Sequence, residues 1–182
     1  EAFKKIGTRV IVSDEAIVNI CNDKWKTYQF LKDNGFNVPR TYISLQRVLL
    51  ALDSGELHYP VILKPRFGCG SIGVSVAEDE MSLLYYFRRN TRVISRSYLK
   101  YESQTVPADE AIIYQECLDG PEYGADVISD LDGVLQNIII KKKLAMRSGE
   151  TDIAELTMNS AIYDELEKLA SFTKHIANMD CD

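Results

Sequence analysis

The stretch "YPVILKPRFGCGSIGVSV" (59–76) narrows the fold more than any other part of the chain. An apolar run ends in one lysine, Lys64. Pro65 and Arg66 follow, then Gly68, Gly70, Ser71 and Gly73, and apolar alternation resumes. Such a pattern predicts strand, loop, strand. Residues 68–73 match G-x-G-x-x-G, but the dinucleotide-binding form of that motif needs its third glycine to open a helix, and here the strand-like "VSVA" follows. A Walker loop ends in Gly-Lys-Ser/Thr, whereas Lys64 precedes these glycines. A kinase glycine loop has its lysine on the next strand, with H-R-D and D-F-G beyond; neither tripeptide occurs. What remains is a hairpin loop whose glycines let backbone N–H groups approach phosphate oxygens, with Lys64 as a nearby point charge. A plain glycine-rich hairpin with an exposed lysine is the competing reading.

At 182 residues the chain has room for one domain or two small ones, with a real core. The formal net charge of −6 argues against a general nucleic-acid binder and leaves room for a local basic pocket. No apolar run reaches the roughly 18 residues of a membrane span, and no signal peptide is visible. Cys21, Cys69, Cys117 and Cys181 are widely spaced, with no C-x-x-C. Neither a zinc site nor a disulfide framework is expected, and the reducing cytoplasm is the expected compartment.

Local signals predict the remaining elements. "RVIVSD" (9–14) reads as a short buried strand. Residues 23–35 read as a helix, with Trp25, Tyr28 and Leu31 at three-residue spacing and Gly35 as its left-handed stop. Ser44 caps a helix through Leu52 that ends at Gly55. Strands are expected at 60–64, 73–77 and 111–116, and an amphipathic helix at 79–90. Residues 91–109 show no clear period and are expected to be irregular and exposed. Two alternating runs around Asp132-Gly133 predict a hairpin. A last helix is expected from near Ser160 through "HIANM", carrying His175. His58 and His175 read as ordinary surface or packing residues, and no catalytic base is evident.

The segment "IIYQECLDGPEYGADV" (112–127) adds a second feature. Purines are often held by main-chain groups of an extended segment, and Glu116, Cys117 and Leu118 could form one. Glu122 follows the Gly-Pro turn, where its carboxylate could accept from two ribose hydroxyls; an ordinary solvated turn residue is the alternative.

Three blocks in order, "DKWKTYQFLKDNGFNVPRT", "YPVILKPRFGCGSIGV" and "YQECLDGPEYGADV", resemble the ATP-grasp family. Within it, the likeness is to ligases similar to the carbamoyl-phosphate synthase large subunit. The blocks span most of residues 20–130. The resemblance implies an α+β ATP-grasp fold, two α+β lobes with ATP bound between them. It divides the chain into 1–22, the remnant of a preceding α/β domain; 23–115, the first helices and glycine-loop lid lobe; and 116–182, a partial central lobe that stops before the family's E-x-N metal motif. It implies that Lys24 and Lys64 contact ATP phosphates, that Gly68, Gly70, Ser71 and Gly73 fold down as a lid, that Glu116, Cys117 and Leu118 hold adenine, and that Glu122 binds ribose.

"KKKLAMRSGET" (141–151) corresponds to the family segment lining the phosphate and substrate side. Lys141 and Lys143 share one strand face and Arg147 lies beyond the strand. Lys143 and Arg147 are the residues implied to stabilise a phosphate or acyl-phosphate; a basic, solvated strand end is the alternative. Asp182 sits where the family's first magnesium ligand would be, sharing a strand face with Asp180. The implied cofactors are ATP and Mg2+. The implied chemistry joins a small carboxylate or bicarbonate-like acceptor to an amine or ammonia through an acyl-phosphate, with no nucleic-acid or membrane partner and with a homodimer left open. A nucleotide-binding or regulatory module without turnover is the alternative function, and an α+β domain without a ligand a third reading.

Overall fold

The computed structural model describes residues 2–147 and 149–182. Glu1, in the leading segment, and Ser148, in the 141–151 segment, lie outside the described residues. In chain order the elements are α1 (Ala2–Lys5), α2 (Glu15–Cys21), α3 (Lys24–Asp33), β1 (Thr41–Tyr42), α4 (Leu45–Asp53), β2 (Val61–Pro65), β3 (Ser75–Ala77), α5 (Glu80–Arg96), α6 (Lys100–Ser103), a 3-10 turn (Ala108–Glu110), β4 (Ile112–Glu116), β5 (Tyr123–Ser129), β6 (Leu135–Arg147), β7 (Glu150–Thr157), α7 (Ser160–Thr173) and β8 (Ala177–Cys181). They fall into two units. Asn19–Asp119 form one, and Glu1–Val18 with Gly120–Asp182 form the other.

In the 19–119 unit an antiparallel sheet runs in the order β1-β4-β2-β3. Strand alternation sorts its residues between two faces. Val61 and Leu63 of β2 and Ile112 and Tyr114 of β4 enter a core with Val48 and Ala51 of α4 and Leu83 and Ile94 of α5. Lys64, Ile113 and Gln115 lie on the opposite face. The expected cap at Ser44 forms, and two further caps join it. Asp23 accepts from Trp25 N and Lys26 N, Ser44 from Arg47 N, and Asp79 and Ser82 make a capping box. Gly35 and Gly55 adopt positive φ just past α3 and α4.

The 91–109 expectation is corrected. Helix α5 runs on to Arg96, and α6 and the 3-10 turn fill much of the rest. Leu83, Phe87, Asn90 and Ile94 keep a three-to-four-residue spacing against the sheet, and Leu99 is buried as well. The charged residues among them face outward and mask that period.

In the other unit the sheet order is β7-β6-β5-β8, antiparallel throughout. Ala125, Val127, Ile138, Ile140 and Ala170 form its core, with Ile162, Tyr163 and Leu166 of α7 packed against them. The β5–β6 hairpin turns as expected at Asp130–Gly133. Gly133 N donates to Asp130 O, the Asp130 carboxylate accepts from Asp132 N and Val134 N, and Gly133 has φ +77°.

Three further expectations are corrected here. Residues 9–14 form no strand, and Val10, Ile11 and Val12 are exposed. A strand needs a ladder partner, and among the described residues none pairs with them. Helix α7 stops at Thr173, where Lys174 turns left-handed at φ +44°, and 177–181 becomes β8 instead. His175 therefore lies past the helix. It is 2% exposed, with Nε2 2.9 Å from Val127 O and Nδ1 3.1 Å from Thr173 Oγ1, a packing residue as expected. Arg147 is the last residue of β6 rather than beyond it, because β7, to which the sequence reading assigns no element, pairs with β6 as far as Arg147↔Glu150. No helix among the described residues is long and apolar enough to cross a membrane.

Candidate functional site

In the 19–119 unit, two lysines remote in sequence lie near enough to repel one another, and one of them, Lys24, touches the glycine loop. Lys64 extends from β2 on the face away from the core, and its ammonium donates to Gln115 Oε1 on β4 at 2.8 Å. Gln115 in turn donates to Thr41 Oγ1 at 2.9 Å. Lys24, in the first turn of α3, donates to the carbonyl oxygen of Gly68. Both lysines are half-buried. Their partners are neutral: among the described residues no carboxylate lies within ion-pair distance of either. Burial pulls the Lys64 ammonium below the ordinary lysine value. Burial, and then the repulsion of Lys64, does the same to Lys24. Two half-buried cations with no ion-pair partner, Lys24 only partly offset by the more distant Asp23 and Glu102, make a site for an anion beside the glycine-rich loop.

The loop has the backbone such a site needs. Gly68, Gly70 and Gly73 have φ of +88°, +67° and +72°, and Ser71 joins them at +55°. A Cβ on Gly68 would come within 2.3 Å of Leu99 Cδ2, and Leu99 is itself 1% exposed and hemmed in by the core. Gly68→Ala is therefore expected to lose about 1–2 kcal/mol from the left-handed backbone alone. The contact with Leu99 adds to that loss, which a lower urea midpoint would register. Ser71 and Gly70 are exposed.

Placement of Lys24 depends on a buried ion pair. Arg66, 6% exposed, donates from Nε to Asp23 Oδ1 and from Nη2 to Asp23 Oδ2, both at 2.8 Å, and reaches Glu110 from Nη1 at 3.2 Å. Lys24 N also donates to Arg66 O. Asp23 thus caps α3 and clamps its first turn to the end of β2 at once. The sequence reading gives Asp23, Arg66 and Gln115 no role. The signals were present: an acid at an N-cap, and a charge at the end of a buried strand.

Glu116 ends β4, and its carboxylate accepts from Arg40 N at 2.7 Å. Cys117 and Leu118 follow outside the ladder, with Leu118 67% exposed.

Glu122, Lys143 and Asp182 come together in the other unit. The Lys143 side chain is 6% exposed, and its ammonium lies 2.8 Å from Glu122 Oε1 and 2.5 Å from Asp182 Oδ1. Burial works against its charge, but the hydrogen bonds to Asp182 and Glu122 prevail and hold it above the ordinary lysine value. Gly124 makes room for the pair: a Cβ there would lie 3.3 Å from both Asp182 Oδ1 and Lys143 Cε. Beside them Lys141 pairs with Asp126 at 2.8 Å. Asp180, opposite Asp126 on β8, has its carboxyl pushed up by burial and by Asp182. Arg147 is not part of this cluster. It sits four residues further along β6, roughly 13 Å at strand rise, and pairs with Asp152.

Among the described residues no group of three His, Cys, Asp or Glu side chains is placed to hold a metal ion. Octahedral magnesium is usually held by one or two carboxylates with phosphate oxygens and water. Asp182, already engaged by Lys143, fits such a site only as a single arm.

The profile of the ATP-grasp domain family matches residues 21–178. The carbamoyl phosphate synthase large chain of Corynebacterium glutamicum is 25% identical over 185 residues, covering 97% of this chain and 15% of that one. The large chain of Clostridium acetobutylicum is 21% identical over 182 residues, covering 95% and 15%. The chain thus spans about 15% of the length of these curated relatives. Among solved structures, a biotin carboxylase–beta-gamma-ATP complex from Campylobacter jejuni superposes with a TM-score of 0.78 at 19% identity, over 98% of this chain and 40% of that one. The L-amino acid ligase of Bacillus licheniformis superposes with a TM-score of 0.67 at 21% identity, over 98% and 42%. At these identities the structural likeness is one of fold. With two antiparallel sheets flanked by helices and a family profile that matches most of its length, the chain belongs to the ATP-grasp domain family and has an α+β ATP-grasp fold.

Proposed function

We propose that this chain is the ATP-binding region of an ATP-dependent ligase that joins a carboxylate or bicarbonate to an amine or ammonia. One observation carries the reading: Lys24 and Lys64 lie half-buried within reach of each other's charge, Lys24 on the glycine loop and Lys64 on Gln115, with only neutral hydrogen-bond acceptors as partners. An oligophosphate supplies the missing counter-charge. Lys64, on a rigid strand, and Lys24, clamped through Asp23 and Arg66, neutralise the phosphate oxygens. The backbone N–H groups around Gly68–Gly73 fold over them and exclude water. Adenine lies against the main chain of Glu116–Leu118 and the ribose hydroxyls bond Glu122. The names of the relatives, carbamoyl phosphate synthase and L-amino acid ligase, support ligation over hydrolysis.

In the proposed reaction a carboxylate oxygen of the acceptor attacks the γ-phosphorus, and ADP leaves with the electron pair of the broken P–O bond. An amine lone pair then attacks the acyl carbon, the C–O bond to phosphate breaks, and phosphate departs with its electron pair while the nitrogen gives up a proton to it. The protein's share is positioning and charge neutralisation. Lys143 stabilises charge on the transferred phosphoryl group, and Arg147 is the further candidate for that task. Magnesium, carried in on the phosphates with Asp182 as one arm, would supply further neutralisation of their charge. A module that binds the nucleotide without turnover is the second reading.

Calorimetric titration with ATP, with and without magnesium, tests the site, and absence of binding heat in both would overturn it. The lowered lysines set a pH dependence. Their folded values lie below that of an ordinary lysine, so the charged form is penalised in the fold. As pH rises through the folded values the ammoniums lose their protons, and that penalty on stability is relieved. Phosphate binding is lost over the same range. ATP affinity is therefore expected to decline at a pH below about 10.4, the ordinary lysine value, and titrations across alkaline pH would show it.

A further inference from the structure

The 19–119 unit carries a second cationic site, on the outside of α5. Arg88, Arg89, Arg92 and Arg96 line a groove of roughly 670 Å³ with Tyr85 and Val93. All four arginines are exposed. Arg89 donates to Ser75 Oγ at 3.3 Å. Among the described residues the guanidinium groups of Arg88, Arg92 and Arg96 have neither an ion-pair nor a hydrogen-bond partner.

This concentration is costly. Arg88, Arg92 and Arg96 follow one another at four-residue spacing, where like charges on a helix repel. Arg96, in the last turn, is compensated by the helix dipole; Arg88 and Arg89 are too far from that end to gain from it. The chain as a whole is acidic, at −6, so the cluster does not reflect a basic composition. Nor does it belong to the lysine site. Lys24 lies against Gly68 and Lys64 against Gln115, whereas these arginines are all on α5.

We propose that this groove binds a phosphate-rich anion: an oligophosphate, free or carried by a nucleotide. The guanidinium fork matches phosphate oxygens two at a time, and several forks along one helix face suit a chain of phosphates better than a single carboxylate. Tyr85, 62% exposed at the end of the groove, offers a ring face on which the base of a nucleotide can stack. The proposal is independent of the ATP reading, because it uses none of the residues assigned to it.

The test uses the chain carrying Lys24→Ala and Lys64→Ala, so that oligophosphate binding at the glycine loop is strongly weakened. Calorimetric titration with inorganic tripolyphosphate is expected to show one site, weakening with added salt as exposed charges are screened. Adding Arg92→Gln and Arg96→Gln is expected to weaken binding by about tenfold or more, while circular dichroism stays unchanged and the unfolding midpoint does not fall, since like-charge repulsion along α5 is relieved. Arg88→Gln alone provides the smaller step of the same sign. Tighter binding of a nucleoside triphosphate than of tripolyphosphate, lost with Tyr85→Ala, would identify a nucleotide as the ligand; equal binding would identify free oligophosphate. Absence of tripolyphosphate binding, or binding indifferent to the arginine substitutions, overturns the proposal. So does capture of polyglutamate in place of tripolyphosphate, which would make the groove an acidic-protein contact.

Discussion

Lys64→Ala is expected to weaken ATP binding by about 2 kcal/mol, roughly thirtyfold, the scale of one hydrogen bond to a charged group. It is expected to leave the fold as stable as before or more so. The two effects part because the Lys64 charge is a liability in the empty protein. Burial lowers its ammonium pKa, and its partner Gln115 is neutral. Removing the side chain ends that penalty and the repulsion felt by Lys24. Gln115 keeps its bond to Thr41 Oγ1. Calorimetry for ATP and urea unfolding for stability read the two quantities separately. Unchanged ATP affinity would remove Lys64 from the site, whereas a collapse in stability would mean that the lysine serves the fold.

Asp23→Ala is expected to do the opposite, costing stability first and binding as a consequence. It leaves the buried Arg66 guanidinium with only the longer, more exposed contact to Glu110, a change worth up to about 3–5 kcal/mol for a broken buried pair. It also removes the cap of α3, worth about 1 kcal/mol. Lys24, the next residue, loses the anchor that sets it against Gly68. Replacing both partners by apolar residues, Asp23→Leu with Arg66→Met, is expected to recover most of the stability, because no charge is then left buried. ATP affinity should stay low in that double variant, since the helix start is no longer tied to β2. Urea midpoints and ATP titrations of the single and double variants check both statements. Equal stability loss in single and double variants would show that packing, not charge, holds this corner together.

Much of the fold could be read locally. The cap at Ser44 sits within a few residues of the group it satisfies, as do those at Asp23 and Asp79, which the sequence reading passed over. So does the Asp130–Gly133 turn. Where reading failed, the deciding partner was remote or the local signal misled. The run 9–14 has the composition of a strand, but a strand exists only through its neighbour. The end of α7 was hidden because Lys174 turns left-handed without a glycine to announce it. β7 is an edge strand of mixed composition, held by its pairing with β6.

The candidate site divides the same way. Alternation in β2 alone puts Lys64 on the face opposite Val61 and Leu63, and the glycines alone make the following loop permissive. Both follow from chain geometry over a few residues, and the sequence by itself determined them. It could not determine that Lys24 reaches Gly68 across 44 residues, that Arg66 finds Asp23 across 43, or that Lys143 sits with Glu122 and Asp182 rather than with a free anion. Charge pairing depends on distance in space, and only the packed sheets and helices bring such distant residues within reach of one another.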